Sequence, residues 1–179
     1  MYVKKYLLVT IFLVIIVLSI LRLTGYQLFP VAAQNYTICS SGCDYADLTA
    51  CLFAINNTSD SCVIVSSGYW SINGSYYFQT SASYNGMIKI ESNDVILDCN
   101  NSEMKNIYIY GEIYNVIVVN SSNNTTVQNC RLKDSLLLRV LNSNNVKIYN
   151  NTFKSGEIRF RDNCSNVLFK NNIMDVADL

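Results

Sequence analysis

The sequence predicts an all-β fold, a parallel β-helix of about four or five coils of about 21 residues, with an N-terminal cap helix and an N-terminal signal or membrane helix. Two observations predict the coils: a fixed spacing between asparagines, and an alternation of apolar residues within it. Asn124, Asn145 and Asn166 follow one another at a constant step of 21 (145 − 124 and 166 − 145), and similar residues surround all three. A period of this length indicates stacked repeats, in which neighbouring coils close one another by hydrogen bonds.

Short strands account for the alternation within each period. Val146 and Ile148 are apolar, and Lys147 and Tyr149 occupy the alternate positions. This period of two predicts half-buried strands rather than helices, and strands that recur in one direction must be parallel. A second strand in each period is expected at three apolar pairs: Ile117 and Val119, Leu138 and Val140, and Ile158 and Phe160. Its last step is 20 (158 − 138), so we expect one extra residue in the turn at 162–165.

The repeated asparagines fit the corners of such coils. Asn tolerates the left-handed backbone region that a sharp corner requires, and its side chain bonds to nearby backbone groups. We therefore expect stacked Asn side chains to pass amide hydrogen bonds from coil to coil. A ladder that binds sugar or metal is the alternative interpretation.

Two stretches resemble a known group of proteins. The runs Ser92–Asn100 and Asn144–Phe153 are similar to repeats of right-handed parallel β-helix proteins of the pectate-lyase-like superfamily. They look most like Asn-rich secreted or surface β-helix proteins of archaea and bacteria, including the group named after periplasmic copper-binding proteins. The resemblance covers residues 86–175 and implies a right-handed coil. It implies little about activity, because one fold carries many functions. The copper binding that the name of this group suggests has little support here, because the chain has no His.

Residues 1–33 are predicted to direct export. Lys4 and Lys5 precede an apolar run at residues 6–23, and Val31-Ala32-Ala33 follows it. This order is typical of a secretory signal cleaved after Ala33. The alternative is an uncleaved membrane anchor, because about 18 apolar residues approach the length that spans a bilayer. In either case the rest of the chain is translocated, so we expect a secreted or membrane-anchored cell-surface protein.

The remaining chain is expected to form a cap followed by repeats. The cap comprises residues 34–85, with a helix over 44–55 that has Asp44 as its N-cap and a first strand at 62–65. We expect residues 66–70 to form a turn. The repeats occupy residues 86–179, with an insertion at about 99–114, because Val95 and its equivalent Thr125 are separated by a step of 30 (125 − 95).

Cysteine usage agrees with export, because disulfides form outside the cytoplasm. The chain has seven cysteines, so at least one is unpaired within the chain. The disulfide candidates are Cys39, Cys43, Cys51, Cys62 and Cys99. The first four are expected to stabilise the cap, and Cys99 could instead pair with Cys62.

The net charge of the chain bears on its binding partners. Thirteen basic and thirteen acidic residues give a formal net charge of zero, which offers no sign of nucleic-acid binding.

The candidate glycosylation sites begin Asn-x-Ser/Thr and are Asn35, Asn56, Asn57, Asn73, Asn100, Asn120, Asn123, Asn124, Asn150 and Asn163. Because β-helix corners favour the same residues, the sequons also have a structural explanation. We expect them to be glycosylated only if the cell that makes the protein carries out this modification.

Aromatic residues in and near the insertion are candidates for glycan contact, because aromatic faces stack on sugar rings. These candidates are Tyr108, Tyr110, Tyr114 and Trp70. The alternative is that they pack the insertion onto the outer surface of the strands.

Charged residues supply the catalytic candidates, which are Asp98, Lys170, Arg139 and Arg159. A basic column is expected on one outward face at Lys89, Arg139, Arg159 and Arg161, and a polar row on another at Asp98, Gln128, Tyr149 and Lys170. The resemblance to pectate lyases implies calcium held by carboxylates, yet no three carboxylates stack in this sequence. We therefore expect no metal or other cofactor, and calcium only if the chain is a lyase. An ordinary solvated face is the alternative interpretation.

Two functional classes remain open. The first is a noncatalytic exported cell-surface protein for adhesion, glycan contact or envelope structure. The second is a carbohydrate-active enzyme, a lyase or glycoside hydrolase acting on extracellular polysaccharide. We expect the first, because the resemblance implies more coils for an enzyme than this chain accommodates. We also expect end-to-end self-association, because the last coil has no evident cap in the sequence.

Overall fold

The computed structural model describes residues 34–56, 58, 60–79, 86–107 and 115–175. The chain divides into two units, residues 1–32 and 33–179, and every described residue belongs to the second. The predicted export segment and the aromatic residues Tyr108, Tyr110 and Tyr114 lie outside the described residues. Within the described ranges, no helix has both the length and the apolar character needed to cross a membrane.

The described residues form one helix and fourteen strands. The helix, α1, spans Leu48–Ile55. The strands are β1 (Asn35–Ile38), β2 (Ser61–Ile64), β3 (Gly68–Ser71), β4 (Tyr76–Gln79), β5 (Ile88–Ile90), β6 (Val95–Asp98), β7 (Glu103–Ile107), β8 (Asn115–Asn120), β9 (Thr126–Gln128), β10 (Arg131–Leu141), β11 (Lys147–Tyr149), β12 (Thr152–Arg161), β13 (Leu168–Lys170) and β14 (Ile173–Asp175).

The described strands pair in parallel and form three rows. The first row runs β1, β2, β5 and β8, then residues 136–141 of β10 and 157–161 of β12. The second row is a separate five-stranded sheet in the order β3, β6, β9, β11, β13. The third row runs β4, β7, residues 131–133 of β10, residues 152–154 of β12, and β14. The protein is therefore all-β, with successive strands of the chain stacked on their equivalents one repeat earlier.

The predicted repeat register is confirmed. Lys147 lies opposite Thr126 on one side and opposite Leu168 on the other, a step of 21 in each direction (147 − 126 and 168 − 147). Leu138 lies opposite Ile158, a step of 20, whereas Asn144 and Ser165 are again 21 apart. The extra residue therefore lies between these two points, in the turn where the sequence predicts it.

Apolar side chains from all three rows fill the interior. Val95, Leu97, Val127 and Ile148 of the second row are completely buried. Leu132 and Phe153 of the third row and Ile117, Leu138 and Val140 of the first row are buried with them. On β9 and β11 of the second row the alternate residues face outward, as the period of two predicts, whereas β2 and β8 of the first row are buried along almost their whole length.

Asparagines turn the corners between rows. Asn124, Asn145 and Asn166 have positive φ angles of 56°, 55° and 50°, the left-handed region expected for them. The Asn166 Nδ2 group donates to Asn145 Oδ1 over 3.2 Å, and Asn124 Nδ2 donates to Asp94 Oδ1 over 2.8 Å. The predicted amide bond between coils is therefore present between Asn166 and Asn145, and Asp94 accepts the corresponding bond from Asn124.

The N-terminal region differs from the expectation in its details. Helix α1 begins at Leu48 rather than at residue 44, because Asp47 is its N-cap and accepts from the Thr49 N–H over 2.7 Å. Asp44 instead accepts from the Thr37 N–H and hydroxyl, which ties it to β1. Strand β1 precedes the expected first strand, and part of the expected turn at 66–70 belongs to β3.

Three disulfides are present. Cys39 bonds to Cys43 and Cys51 to Cys62, which stabilises the cap as expected. Cys99 bonds to Cys130 rather than to Cys62, because Asp98 pairs with Gln128 in the next coil and the residues that follow the two strands meet inside. Cys164 is the unpaired cysteine among the described residues.

Candidate functional site

One outward row of side chains on the second sheet carries the best-defined polar site. The strand register places one residue of this row on each of β3, β6, β9, β11 and β13, in the order Ser71, Asp98, Gln128, Tyr149 and Lys170. The last four are the polar row that the sequence predicts. Neighbouring members lie about 4.8 Å apart, the spacing of paired strands. An extended ligand lying along the stack would meet a new polar side chain at each coil.

Asp98 is the centre of a hydrogen-bond network across three coils. Its Oδ2 atom accepts from the Tyr69 hydroxyl at 3.0 Å and from Gln128 Nε2 at 2.7 Å. Its Oδ1 atom accepts from Asn129 Nδ2 and from the Asn100 N–H, both at 2.9 Å. The left-handed φ angles of Asn100 and Asn129 turn the chain immediately after β6 and β9, which aims these donors back at the carboxylate.

These bonds set the protonation state of Asp98, which is 9% exposed. Burial by itself raises the pKa of the carboxyl group, but the bonds from Asn129, Gln128, the Asn100 N–H and Tyr69 outweigh it and lower the pKa below the ordinary 3.8. The hydrogen bond to Asp98 in turn raises the pKa of the Tyr69 hydroxyl. Asp98 is therefore an ionised hydrogen-bond acceptor at neutral pH and is poorly suited to donate a proton.

The catalytic candidates do not come together. Lys170 lies three strand steps from Asp98, roughly 14 Å along the row, and its side chain is exposed. Arg139 and Arg159 lie opposite each other on the first row, not on the sheet that carries Asp98. The four residues thus occupy separate places on two rows.

The expected basic column is interrupted and partly neutralised. Val118, buried to 2% exposure, lies between Lys89 and Arg139 in the register. Arg159 makes a two-point ion pair with Glu157 at 2.5 and 2.7 Å. The hydrogen bond to Arg159 lowers the pKa of Glu157, and the same contact raises the pKa of Arg159.

The aromatic candidate Trp70 faces inward, whereas its neighbour faces outward. Trp70 packs against the core, and its Nε1 group donates to the Ser66 carbonyl at 3.3 Å. Tyr69, which sequence reasoning did not select, is 61% exposed. The signal was available in the register: Trp70 pairs with the buried Leu97, and Tyr69 pairs with the 40% exposed Ile96.

The candidate glycosylation sites differ in exposure. Exposed asparagines are Asn35, Asn73, Asn100, Asn123, Asn124, Asn150 and Asn163, half-buried ones are Asn56 and Asn120, and Asn57 lies outside the described residues. Some of these amides already have partners. Asn100 Nδ2 donates to Asn73 Oδ1 at 2.7 Å, and Asn56 Oδ1 accepts from the Tyr77 N–H at 2.8 Å.

The described part of the chain brings together no group of three or more His, Cys, Asp or Glu side chains that could hold a metal ion. Comparisons of the chain with protein-family models, with curated proteins and with solved structures find no match.

Proposed function

We propose that this protein is an exported, noncatalytic right-handed parallel β-helix of the cell surface that contacts glycans along the outer face of its second sheet. Support for the β-helix comes from three parallel strand rows, a constant repeat register and left-handed Asn corners. Support for export comes from residues 1–33 and from the three disulfides. Residues 6–23 either anchor the protein or are removed with the signal.

The observation that carries the noncatalytic assignment is the state of Asp98. Glycoside hydrolases need a carboxylic acid with a raised pKa to protonate the leaving oxygen, and a second carboxyl group roughly 5–9.5 Å away. Asp98 has a lowered pKa, and its neighbours in the row are Ser71 and Gln128. An ionised carboxylate that accepts from four groups of the protein suits holding its neighbours in place better than proton transfer. Contact with sugar hydroxyl groups then falls to the exposed side chains around it.

A binding and degradation screen tests this function. The full chain is applied to a glycan array and incubated with soluble polysaccharides, with and without calcium, and the mixtures are assayed for new reducing or unsaturated ends. We expect binding to at least one glycan without new ends. Product release would favour the lyase or hydrolase alternative. Failure to bind any glycan would contradict glycan contact and leave adhesion to protein or envelope structure as the role of the β-helix.

A further inference from the structure

We propose that Tyr69 and Ile96 form a stacking platform for a ring of a neutral glycan, with amide side chains at its edge. We name this the Tyr69 platform, and its edge consists of Asn73, Asn100 and Gln128. The inference rests on the proposed glycan contact and assigns it a place and a ligand class.

The platform is formed by two exposed side chains, one aromatic and one aliphatic, on neighbouring strands. Tyr69 and Ile96 are register partners on β3 and β6, and they are 61% and 40% exposed. Paired strands lie about 4.8 Å apart, so the two side chains together offer an area of the size of one pyranose ring. The carbon-bound hydrogens of such a ring pack against apolar and aromatic surface, while its hydroxyl groups need polar partners.

The Tyr69 ring is held in place before any ligand arrives. Its hydroxyl donates to Asp98 Oδ2 at 3.0 Å, and that carboxylate is fixed by the donors on Gln128, Asn129 and Asn100. A side chain that is already ordered loses less conformational entropy on binding, which favours affinity. Asp98 is thus a positioning residue that acts through the ring.

Amide groups are connected to the platform through Asp98, because Gln128 Nε2 and the Asn100 N–H both donate to that carboxylate. Asn73 and Asn100 are exposed and joined by a hydrogen bond of 2.7 Å, and Gln128 is half-buried beside Asp98. Gln128 donates one N–H of its side-chain amide to Asp98. The same amide carries a second N–H and a carbonyl oxygen, which can bind a ligand. These groups supply both donors and acceptors, as neutral sugar hydroxyl groups require.

The local charge selects against acidic sugars. Asp98 is ionised at neutral pH and lies beside the platform, so a uronate or sulfate on a stacked ring would meet a like charge. The lysines of this face lie farther off than Asp98: Lys147 is two strand steps from Ile96, roughly 10 Å away, whereas Asp98 accepts a hydrogen bond from Tyr69 itself. The ligand class is therefore an uncharged hexose or N-acetylhexosamine oligomer.

Binding measurements on four proteins test the platform. The full chain and its variants Tyr69→Ala, Tyr69→Phe and Tyr77→Ala are produced in a bacterial periplasm, so that disulfides form without eukaryotic glycans on Asn73 or Asn100. Tyr77 is the matched control, since it is a tyrosine of 39% exposure on the third row. The probes are oligomers of glucose, mannose, galactose and N-acetylglucosamine, with galacturonate oligomers as the acidic comparison.

We expect the wild type to bind a neutral oligomer more tightly than the galacturonate oligomers. Tyr69→Ala is expected to weaken that binding about tenfold, the size of one aromatic stacking contact. Tyr69→Phe keeps the ring without its bond to Asp98 and loses less, and Tyr77→Ala binds as the wild type does. Thermal unfolding of each variant verifies that the fold is intact.

Two results would overturn the platform while leaving glycan contact in place: equal binding by wild type and a folded Tyr69→Ala variant, or preference for the galacturonate oligomers. If the wild type bound no glycan on the array, that result would contradict both the Tyr69 platform and the proposed glycan contact.

Discussion

At the scale of single residues, Asp98 joins three strands that are far apart in the chain. Tyr69 lies on β3, Asp98 on β6 and Gln128 on β9, and their side chains are connected through one carboxylate. Hydrogen bonds to a charged group are about twice as strong as neutral ones. The same residue therefore contributes to stability and, in our proposal, orients the ring that meets the ligand.

Replacing Asp98 is expected to destabilise the protein. In Asp98→Asn one acceptor oxygen becomes an NH₂ group that faces other donors, so we expect the free energy of unfolding to fall by about 1–3 kcal/mol. Urea denaturation followed by circular dichroism measures the change. The control is Asp162→Asn at an exposed corner residue whose positive φ of 55° Asn tolerates. An equally small change in both variants would contradict the role given to the Asp98 network.

The contribution of Asp98 is expected to depend on pH in one direction. Its pKa is lower in the folded state than the ordinary value of 3.8, so its ionisation stabilises the fold above that pH and ceases to do so as pH falls through the folded value. The difference in unfolding free energy between wild type and Asp98→Asn should be constant from neutral pH down to about pH 4 and then shrink. Urea titrations across this range measure it, and a difference that grows on acidification would show that the sign is wrong.

At the scale of elements, the repeat was predictable and the less regular strands were not. The repeat period places Lys147 opposite Thr126 correctly, because three similar copies determine the register. Strand β1 has only four residues and no second copy in the chain, and β7 falls inside the stretch assigned to the insertion. Glu103 of β7 lies 28 residues before its partner Arg131 (131 − 103) instead of 21, and short strands outside the regular period carry too few alternations to distinguish them from loops.

The candidate site, too, could be predicted from the sequence only in part. The polar row could be predicted because its members follow from register alone. The directions of Tyr69 and Trp70 were not predicted, because residues 66–70 were assigned to a turn. The signal emerges only when Tyr69 and Trp70 are aligned as a strand with Ile96 and Leu97. The bonds that hold Asp98 also depend on corner geometry at Asn100 and Asn129, which the spacing of residues does not specify.

The Cys99–Cys130 disulfide between coils is expected to stabilise the fold more than the Cys39–Cys43 disulfide of the cap. Cys99 and Cys130 are separated by 31 residues, and Cys39 and Cys43 by 4. Closing the longer loop removes more entropy from the unfolded chain, so loss of the first bond should cost about 3–4 kcal/mol and loss of the second about 2 kcal/mol. Chemical denaturation of the two double alanine variants tests this order. A greater loss for the Cys39–Cys43 pair would contradict it.

At the scale of the whole molecule, the two ends of the described stack differ. Helix α1 lies at the first end, where it contacts β1 and β2 of the first row, β3 of the second and β4 of the third, and buries Leu48 and Ile55. At the other end Phe169 and Met174 are 42% and 48% exposed, although their partners one repeat earlier, Ile148 and Phe153, are buried. Within the described stack, the second end therefore exposes the interior of a coil together with unpaired strand edges on β13 and β14.

We expect two copies of the chain to associate through this second end. Because α1 covers the first end, the second end of one copy cannot stack on the first end of another. A contact between two second ends is self-complementary, so association stops at a dimer. Phe169→Lys places a charge on the end surface and should give monomers, whereas Leu168→Lys, an outward position of 50% exposure on the same strand, should leave the dimer intact. Sedimentation velocity of the full chain in a mild detergent measures the species, and circular dichroism verifies that both variants fold. A monomeric wild type, or the same result for both variants, would show that this end does not bind a second copy.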